Sequence, residues 1–439
     1  MKNNPFIILL CSLFFIALMG CAKSENEQPK TGQYERNLIP QKYDTLSNVI
    51  TPPVLDEAPY RVSLIKEVEY GDSEDAYISD YLSVGGLSLT VSFLRFAVGD
   101  NGQVFIANNH QIEAFDAEGN HLKTLGRQGR GPGEFNNHHP LVPRITSNSV
   151  YAFDHGSSRI NVYQADSLSF SHSFILDKRI IMRSLEEERS HLFLSEDEIL
   201  MVNDSLILLG FIEPYQESVH GGFKRFIMLN YRSGEVVSDS ILYYKMHPNN
   251  SSVSLVLGTG KKLPYIPKQM PPESYMKVSF DQDHNIYAAR GEDFLIKEYD
   301  RDGTYKRAIY YPYEHSRLDS EDREAIIEYH ATKSQREEDY DYPSHWPAIH
   351  EFFVDDEGRI WVATITDDNE NYEWWILKND GQLIAKFKRS GERIKRNYQR
   401  QKSTPLPIVK NGYFYISETD EESGANVVVK YKIVLQENS

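Results

Sequence analysis

One short phrase recurs along this chain and limits what it can fold into. Phe96-Ala97-Val98 runs into Gly99-Asp100-Asn101-Gly102 and resumes as Val104-Phe105-Ile106-Ala107. Gln111-Ile112-Glu113-Ala114-Phe115 then runs into Asp116-Ala117-Glu118-Gly119-Asn120. The unit closes on Gly126-Arg127-Gln128-Gly129-Arg130-Gly131-Pro132-Gly133-Glu134-Phe135. Apolar runs of this length, cut by Asp/Asn and Gly, predict antiparallel strands joined by tight turns. Glycine reaches φ > 0 without strain there, and Asp or Asn bonds its own nearby backbone.

The phrase returns with varied spacing. Val150–Asp154 and Ser158–Tyr163 predict a second strand pair, and Ile199–Val202 with Leu206–Leu209 a third. Phe226–Tyr231 and Val236–Ile241 supply the third unit's outer strands. Met276–Phe280, Ile286–Ala289, Leu295–Tyr299 and Tyr305–Tyr310 form a fourth unit, turning at Asp300-Arg301-Asp302-Gly303. Phe352–Ala363, Trp374–Leu377 and Leu383–Phe387 form a fifth. Leu406–Val409, Tyr413–Ile416 and Val427–Val434 form a sixth that is one strand short. Residues 61–70 alternate like a strand and are expected to fill that place. The reading is an all-β, six-bladed β-propeller of four-stranded antiparallel blades, closed by an N-terminal strand. Closure of this kind removes sheet edges without a disulfide.

Insertions interrupt the repeat. Residues 212–224 and 243–273 read as loops. Residues 317–338 read as a helix capped by Asp319 or Ser320, expected on the ring surface between blades four and five.

The N-terminus reads as a processing signal. Lys2 precedes the apolar stretch Phe6–Leu18, too short for a membrane span of about 20 residues. It ends in Leu18-Met19-Gly20-Cys21, which resembles a lipobox with Cys21 as the lipidated residue. The chain has 2 cysteines, and Cys11 lies in the apolar stretch, so the mature chain has no intramolecular disulfide. The organisation read here is signal peptide 1–20, polar tether 21–53 and propeller 54–439. Lys2 is the only charged side chain before Cys21. The 47 Lys and Arg thus fall to 46 against 64 Asp and Glu, a net of −18 in the mature chain. That balance disfavours nucleic acid and anionic membrane surfaces as partners. Contact with the membrane is expected through the lipid alone.

Asp154-His155-Gly156-Ser157-Ser158-Arg159-Ile160-Asn161-Val162-Tyr163 resembles the strand-loop-strand segment of NHL repeats. The exit Gly126–Phe135 resembles one shared by NHL-like and TolB-like propellers. With the lipobox, the chain looks like the six-bladed β-propeller lipoproteins of Gram-negative bacteria over roughly residues 60–435. The resemblance implies an outer-membrane lipoprotein facing the periplasm or the cell surface. It implies no substrate.

Catalytic signatures are scarce. No His-Glu-x-x-His or Gly-x-Ser-x-Gly occurs. Gly258-Thr259-Gly260-Lys261-Lys262 lacks the first Gly and the Ser/Thr of a phosphate loop. Asp300-Arg301-Asp302-Gly303 lacks the spacing and terminal Glu of a calcium loop. No cofactor is expected. A channel metal, as in some propeller hydrolases and lyases, would draw on Asn108-Asn109-His110, Asp154-His155, Glu213, Arg290-Glu292, Asp367-Asp368 and Glu418–Asp420 without a recognisable ligand spacing. Trp361, Trp374 and Trp375 could stack on a sugar, though strand placement favours core for at least two.

The residues singled out for binding a polar ligand or a partner protein are His110, Arg127, Arg130, His155 and Arg290. Alternating strand direction should bring their loops to one mouth of the ring. Arg127 and Arg130 could capture an anion there, or bridge neighbouring blades. The expectation is binding without turnover, because no nucleophile–base pair is recognisable. A metal-dependent hydrolase or lyase and a purely structural envelope module are the rivals.

Overall fold

The computed structural model describes residues 45–73, 76–78, 81–84, 87–90, 94–136, 143–146, 148–154, 157–176, 193–214, 222–245, 252–253, 266–267, 276–330, 343–391, 407–420 and 425–438. Cys21, His155 and the proposed signal peptide lie outside these residues.

The first sheet holds β3 (Phe96–Val98), β4 (Val104–Asn108), β5 (Gln111–Phe115) and β6 (His121–Leu125), antiparallel throughout. The second holds β7 (Pro143–Thr146), β8 (Ser149–Asp154), β9 (Arg159–Gln164) and β10 (Ser169–Ile175). The third holds β11 (Phe193–Met201), β12 (Leu206–Pro214), β13 (Gly222–Asn230) and β14 (Glu235–Lys245). β12 runs to Pro214, β13 starts at Gly222 and β14 ends at Lys245, so the described ends of the segments 212–224 and 243–273 are strand and not loop, which corrects that reading there. Short strands at Ser252–Val253 and Ile266–Pro267 also pair within the second segment.

The fourth sheet holds β15 (Lys277–Phe280), β16 (Ile286–Ala289), β17 (Leu295–Tyr299) and β18 (Tyr305–Tyr310). A fifth strand, β1 (Val49–Ile50), lies parallel to β18. Leu46 and Val49 pack on Leu295, Ala308 and Tyr310, so the end of the polar segment read as tether rests on this sheet.

A wide eight-stranded sheet contains two antiparallel halves. One half is β19 (Ile349–Val354), β20 (Ile360–Ile365), β21 (Asn371–Leu377) and β22 (Leu383–Ser390). The other is β23 (Ile408–Lys410), β24 (Tyr413–Thr419), β25 (Asn426–Glu437) and β2 (Tyr60–Tyr70). A short parallel pairing of Tyr60 and Arg61 with Ala385 and Lys386 joins the halves. The N-terminal β2 pairs antiparallel with the C-terminal β25 from Tyr60↔Glu437 to Tyr70↔Val428. It occupies the place expected of residues 61–70.

Shared cores bind each unit to the next. Phe105 and Ile112 of the first sheet pack with Val150 and Tyr163 of the second. Phe153 and Ile160 pack with Ile207 and Leu209 of the third. Leu208 and Phe226 pack with Ile286 and Ala288 of the fourth. Tyr287 and Ile296 pack with Ile360 and Trp375 of the wide sheet. Trp361 and Trp374 pack with Phe414 and Ile416 across its two halves. Tyr70, Tyr415 and Val428 then pack with Phe96 and Phe115 of the first sheet. The series of cores returns to its start, which is the signature of a β-propeller with four-stranded antiparallel blades.

One turn chemistry recurs between strands. Asp116 Oδ1 accepts the N–H groups of Glu118 and Asn120. Asp300 Oδ1 does the same for Asp302 and Thr304, and Asp355 Oδ1 for Glu357 and Arg359. The calcium-like sequence at Asp300 thus turns β17 into β18, with its carboxylate spent on backbone.

The single described helix is α1 (Ser320–His330). Asp319 caps it, its Oδ1 accepting the Asp322 N–H at 2.9 Å. Ile326 and Leu318 enter the core between the two halves of the wide sheet, and Trp346 Nε1 donates to Asp322 Oδ2 at 2.9 Å. The insertion therefore leans on the wide sheet, not on the junction of units four and five that the sequence indicated.

Candidate functional site

Antiparallel alternation puts three kinds of residue at one end of the sheets: the starts of innermost strands, the hairpins between the second and third strands, and the exits to the next sheet. Three contacts mark this mouth. Leu94 N–H donates to Ser417 Oγ at 2.8 Å, Ile349 N–H to the Gly291 carbonyl at 3.0 Å, and Asn136 N–H to Asp154 Oδ2 at 3.1 Å.

The glycine-rich exit is closely hydrogen-bonded within itself. Gln128 bridges to Phe135, and the Phe135 N–H donates to the Arg127 carbonyl at 2.9 Å. The loop folds around the Glu134 carboxylate. Gly131 N–H donates to Oε2 at 2.8 Å, while Arg127 Nε and Nη2 both reach Oε1 at 2.8 Å. The Gly131 amide, with the Arg127 guanidinium next, holds this carboxyl below its ordinary pKa. Of the two readings of Arg127, anion capture and blade bridging, the structure shows the guanidinium on an anion supplied by the chain itself. Arg127 is nonetheless 80% exposed on its solvent side. Arg130 Nε binds Asn136 Oδ1 at 3.1 Å, again within the exit.

The link to the next blade is made from the other direction, by side chains of β9. Arg159 Nη1 donates to the carbonyls of Arg130 at 3.1 Å and Gly131 at 2.8 Å. Asn161 Nδ2 donates to the Glu134 carbonyl at 3.0 Å, and Tyr163 OH to the Gly133 carbonyl at 2.8 Å. Bridging therefore belongs to Arg159, Asn161 and Tyr163, and not to Arg127 or Arg130.

The remaining loops hold their own charges. His110 sits in the hairpin between β4 and β5, beside Asn109 at φ 52°. Arg290 Nη2 pairs with Glu292 Oε1 at 2.8 Å in the hairpin between β16 and β17. Asp368 is held below its ordinary pKa by Lys388, then by Asn371 and the Glu370 amide. Glu418 takes Arg389 and the Tyr431 hydroxyl. Arg127 and Arg130 thus share one exit, whereas His110 and Arg290 belong to hairpins of the first and fourth sheets.

Two groups of polar residues had no sequence signal. Buried Glu113 accepts from Asn108 Nδ2 at 3.2 Å, Gln111 Nε2 at 2.6 Å and Thr124 Oγ1 at 2.7 Å, and meets His121 Nε2 at 3.0 Å. His315 Nε2 lies 2.7 Å from the Glu292 carbonyl and 3.8 Å from Asp293 Oδ1, with the His345 ring 6.3 Å away. Among the described residues no group of three His, Cys, Asp or Glu has metal-binding geometry. All three tryptophans considered for sugar stacking are core. Trp361 is fully buried with Nε1 on Asp355 Oδ2, and Trp374 and Trp375 pack in the two adjoining cores.

No family model matches the chain, and no curated protein matches it. Solved structures with similar folds include a member of the DUF4221 family from Bacteroides vulgatus. It is 12% identical, with 87% of this chain and 100% of that chain covered and a TM-score of 0.46. A Bacteroides fragilis protein predicted to be exported is 12% identical, with 89% and 100% covered and a TM-score of 0.42. Regucalcin of Agrobacterium tumefaciens, a calcium-binding protein, is 10% identical, with 90% and 98% covered and a TM-score of 0.35.

Proposed function

We propose that this chain is an exported, lipid-anchored β-propeller of six blades whose mouth binds a polar ligand or a partner protein at the cell envelope. The two halves of the wide sheet count as separate blades in this reading. Each half has its own four-strand antiparallel order, and the halves share a core as the other sheets do. β2 is then the fourth strand of the last blade. Lipidation at Cys21 and an outer-membrane location rest on the Leu18-Met19-Gly20-Cys21 motif and the polar segment after it.

The observation that carries the binding reading is the exit loop. Glu134 and the Gly131 amide fix the Arg127 guanidinium in place while leaving most of it in solvent. A charged group held this way needs little ordering on contact, which favours recognition. The paired Arg290 and the anchored Asp368 extend a rim of mixed charge. His110 and His155 complete the candidate set from their hairpins.

A photo-crosslinker placed in envelope preparations at exposed Gln128, beside Arg127, tests the reading. Specific adducts that vanish on Arg127→Glu with Arg290→Glu, in a protein that still unfolds cooperatively, support it. Adducts indifferent to both reversals would move the site elsewhere.

A further inference from the structure

We infer that Arg225 is the seat of an oxyanion ligand, a carboxylate or a phosphate, on the face of the third sheet that meets the second. Arg225 lies in β13, paired to Phe211 of β12 on one side and to Tyr243 of β14 on the other. Cross-strand partners share a face of the sheet. Phe211 belongs to the core shared with Phe153 and Ile160 of the second sheet. Ile227 and Leu229, which follow Arg225 at the strand period of two, belong to it as well. Arg225 therefore faces the second sheet. It stands near the Gly222 start of β13, at the mouth end where β12 hands over to β13.

The charge there lacks a counterion. Arg225 is only 8% exposed, and its Nε is buried with no hydrogen-bond partner among the described residues. No carboxylate among the described residues pairs with its guanidinium. The guanidinium carbon instead lies 5.5 Å from the centre of the Tyr243 ring, and Phe211 on the other side is fully buried. Other partly buried arginines of this chain are treated differently. Arg307 meets Glu298, Arg359 meets Asp355 and Arg389 meets Glu418. With 64 Asp and Glu against 47 Lys and Arg, the chain is not short of carboxylates.

Burial makes an uncompensated charge costly, and an aromatic ring offsets only part of that cost. An anion from outside the chain removes it. With Nε sealed, the two Nη groups are left to receive the ligand. That planar pair matches two oxygens of a carboxylate or a phosphate. Tyr243 is 47% exposed, so an entering ligand meets an aromatic ring beside the charge. This seat uses neither Arg127 nor Arg290, and it does not rest on the binding proposed for them.

Thermal melts of the purified protein test this, titrated at constant ionic strength with benzoate and separately with inorganic phosphate, against a chloride control. At least one of the two anions should raise the melting temperature saturably. Benzoate alone would assign a carboxylate ligand, and phosphate alone a phosphate. Arg225→Met should weaken that binding by about tenfold or more. Arg225→Lys keeps the charge but loses the two-pronged contact, so it should bind less tightly than the wild type. In chloride, Arg225→Met should melt no lower than the wild type, because a buried charge without a counterion has been removed. A wild type indifferent to both anions would overturn the inference. So would saturation unchanged in both variants, or an Arg225→Met protein destabilised in chloride, whose charge the fold would then already compensate.

Discussion

Gly126 faces Phe135 so closely that a Cβ on Gly126 would stand 2.3 Å from the Phe135 ring. The Tyr163 hydroxyl would lie 2.9 Å away, and the backbone there has φ +76°. Gly126→Ala should therefore cost stability twice, through strain and overlap, by about 2–4 kcal/mol. Chemical denaturation measures it. Gly412, also at positive φ but with open space around it, should tolerate the same change with a loss of only about 1 kcal/mol, from the backbone alone.

Tyr70 joins the N-terminal strand to both the last and the first units. It is fully buried, packs against Phe115 and Tyr415, and donates its hydroxyl to the Ala117 carbonyl at 3.0 Å. Tyr70→Ala should cost about 3–5 kcal/mol, and Tyr70→Phe about 1 kcal/mol. Thermal or urea unfolding reads both.

Glu134 predicts a pH dependence with a definite sign. Its carboxyl is held below the ordinary value of 4.5, so its contribution is fully present above that pH. The contribution is lost as pH falls through the lower, folded-state value. Wild type should be more stable than Glu134→Gln at neutral pH, and the gap should close in acid below about 4.5. Parallel melts across that range measure it.

The proposed lipidation at Cys21 gives a cellular prediction. Cys21→Ser should release the protein from the membrane fraction and abolish labelling by a fatty-acid precursor.

What the sequence made legible was set by local chemistry. Asp116, Asp300 and Asp355 announce their turns because each organises backbone within four residues of itself. Asp319 announces its helix for the same reason. β2 was legible because its first residues alternate, with Tyr60, Val62 and Leu64 half-buried and Arg61, Ser63 and Ile65 exposed. β1 was not, since a two-residue parallel pairing leaves no period at all. Loops were expected where β12, β13 and β14 continue, because charged and aromatic residues there break the alternation.

At the mouth, residue types were readable but partners were not. Arg127 could be read either as an anion binder or as a bridge between blades. That Glu134 supplies the anion depends on a turn that brings residues seven apart together. The meeting of His315 with Asp293 depends on the chain's return after β18, which no local pattern encodes.

The account rests on the N-terminal strand sealing the ring against the C-terminal one. Ser63 and Val434 are direct partners across β2 and β25. Directly opposed antiparallel residues stand about 4.5–5.5 Å apart at Cα, within disulfide reach. The double variant Ser63→Cys, Val434→Cys should form an intramolecular disulfide under mild oxidation, with a melting temperature above that of its reduced form. Thiols that stay free in the folded protein, or a disulfide that leaves the melting temperature unchanged, would contradict the closure.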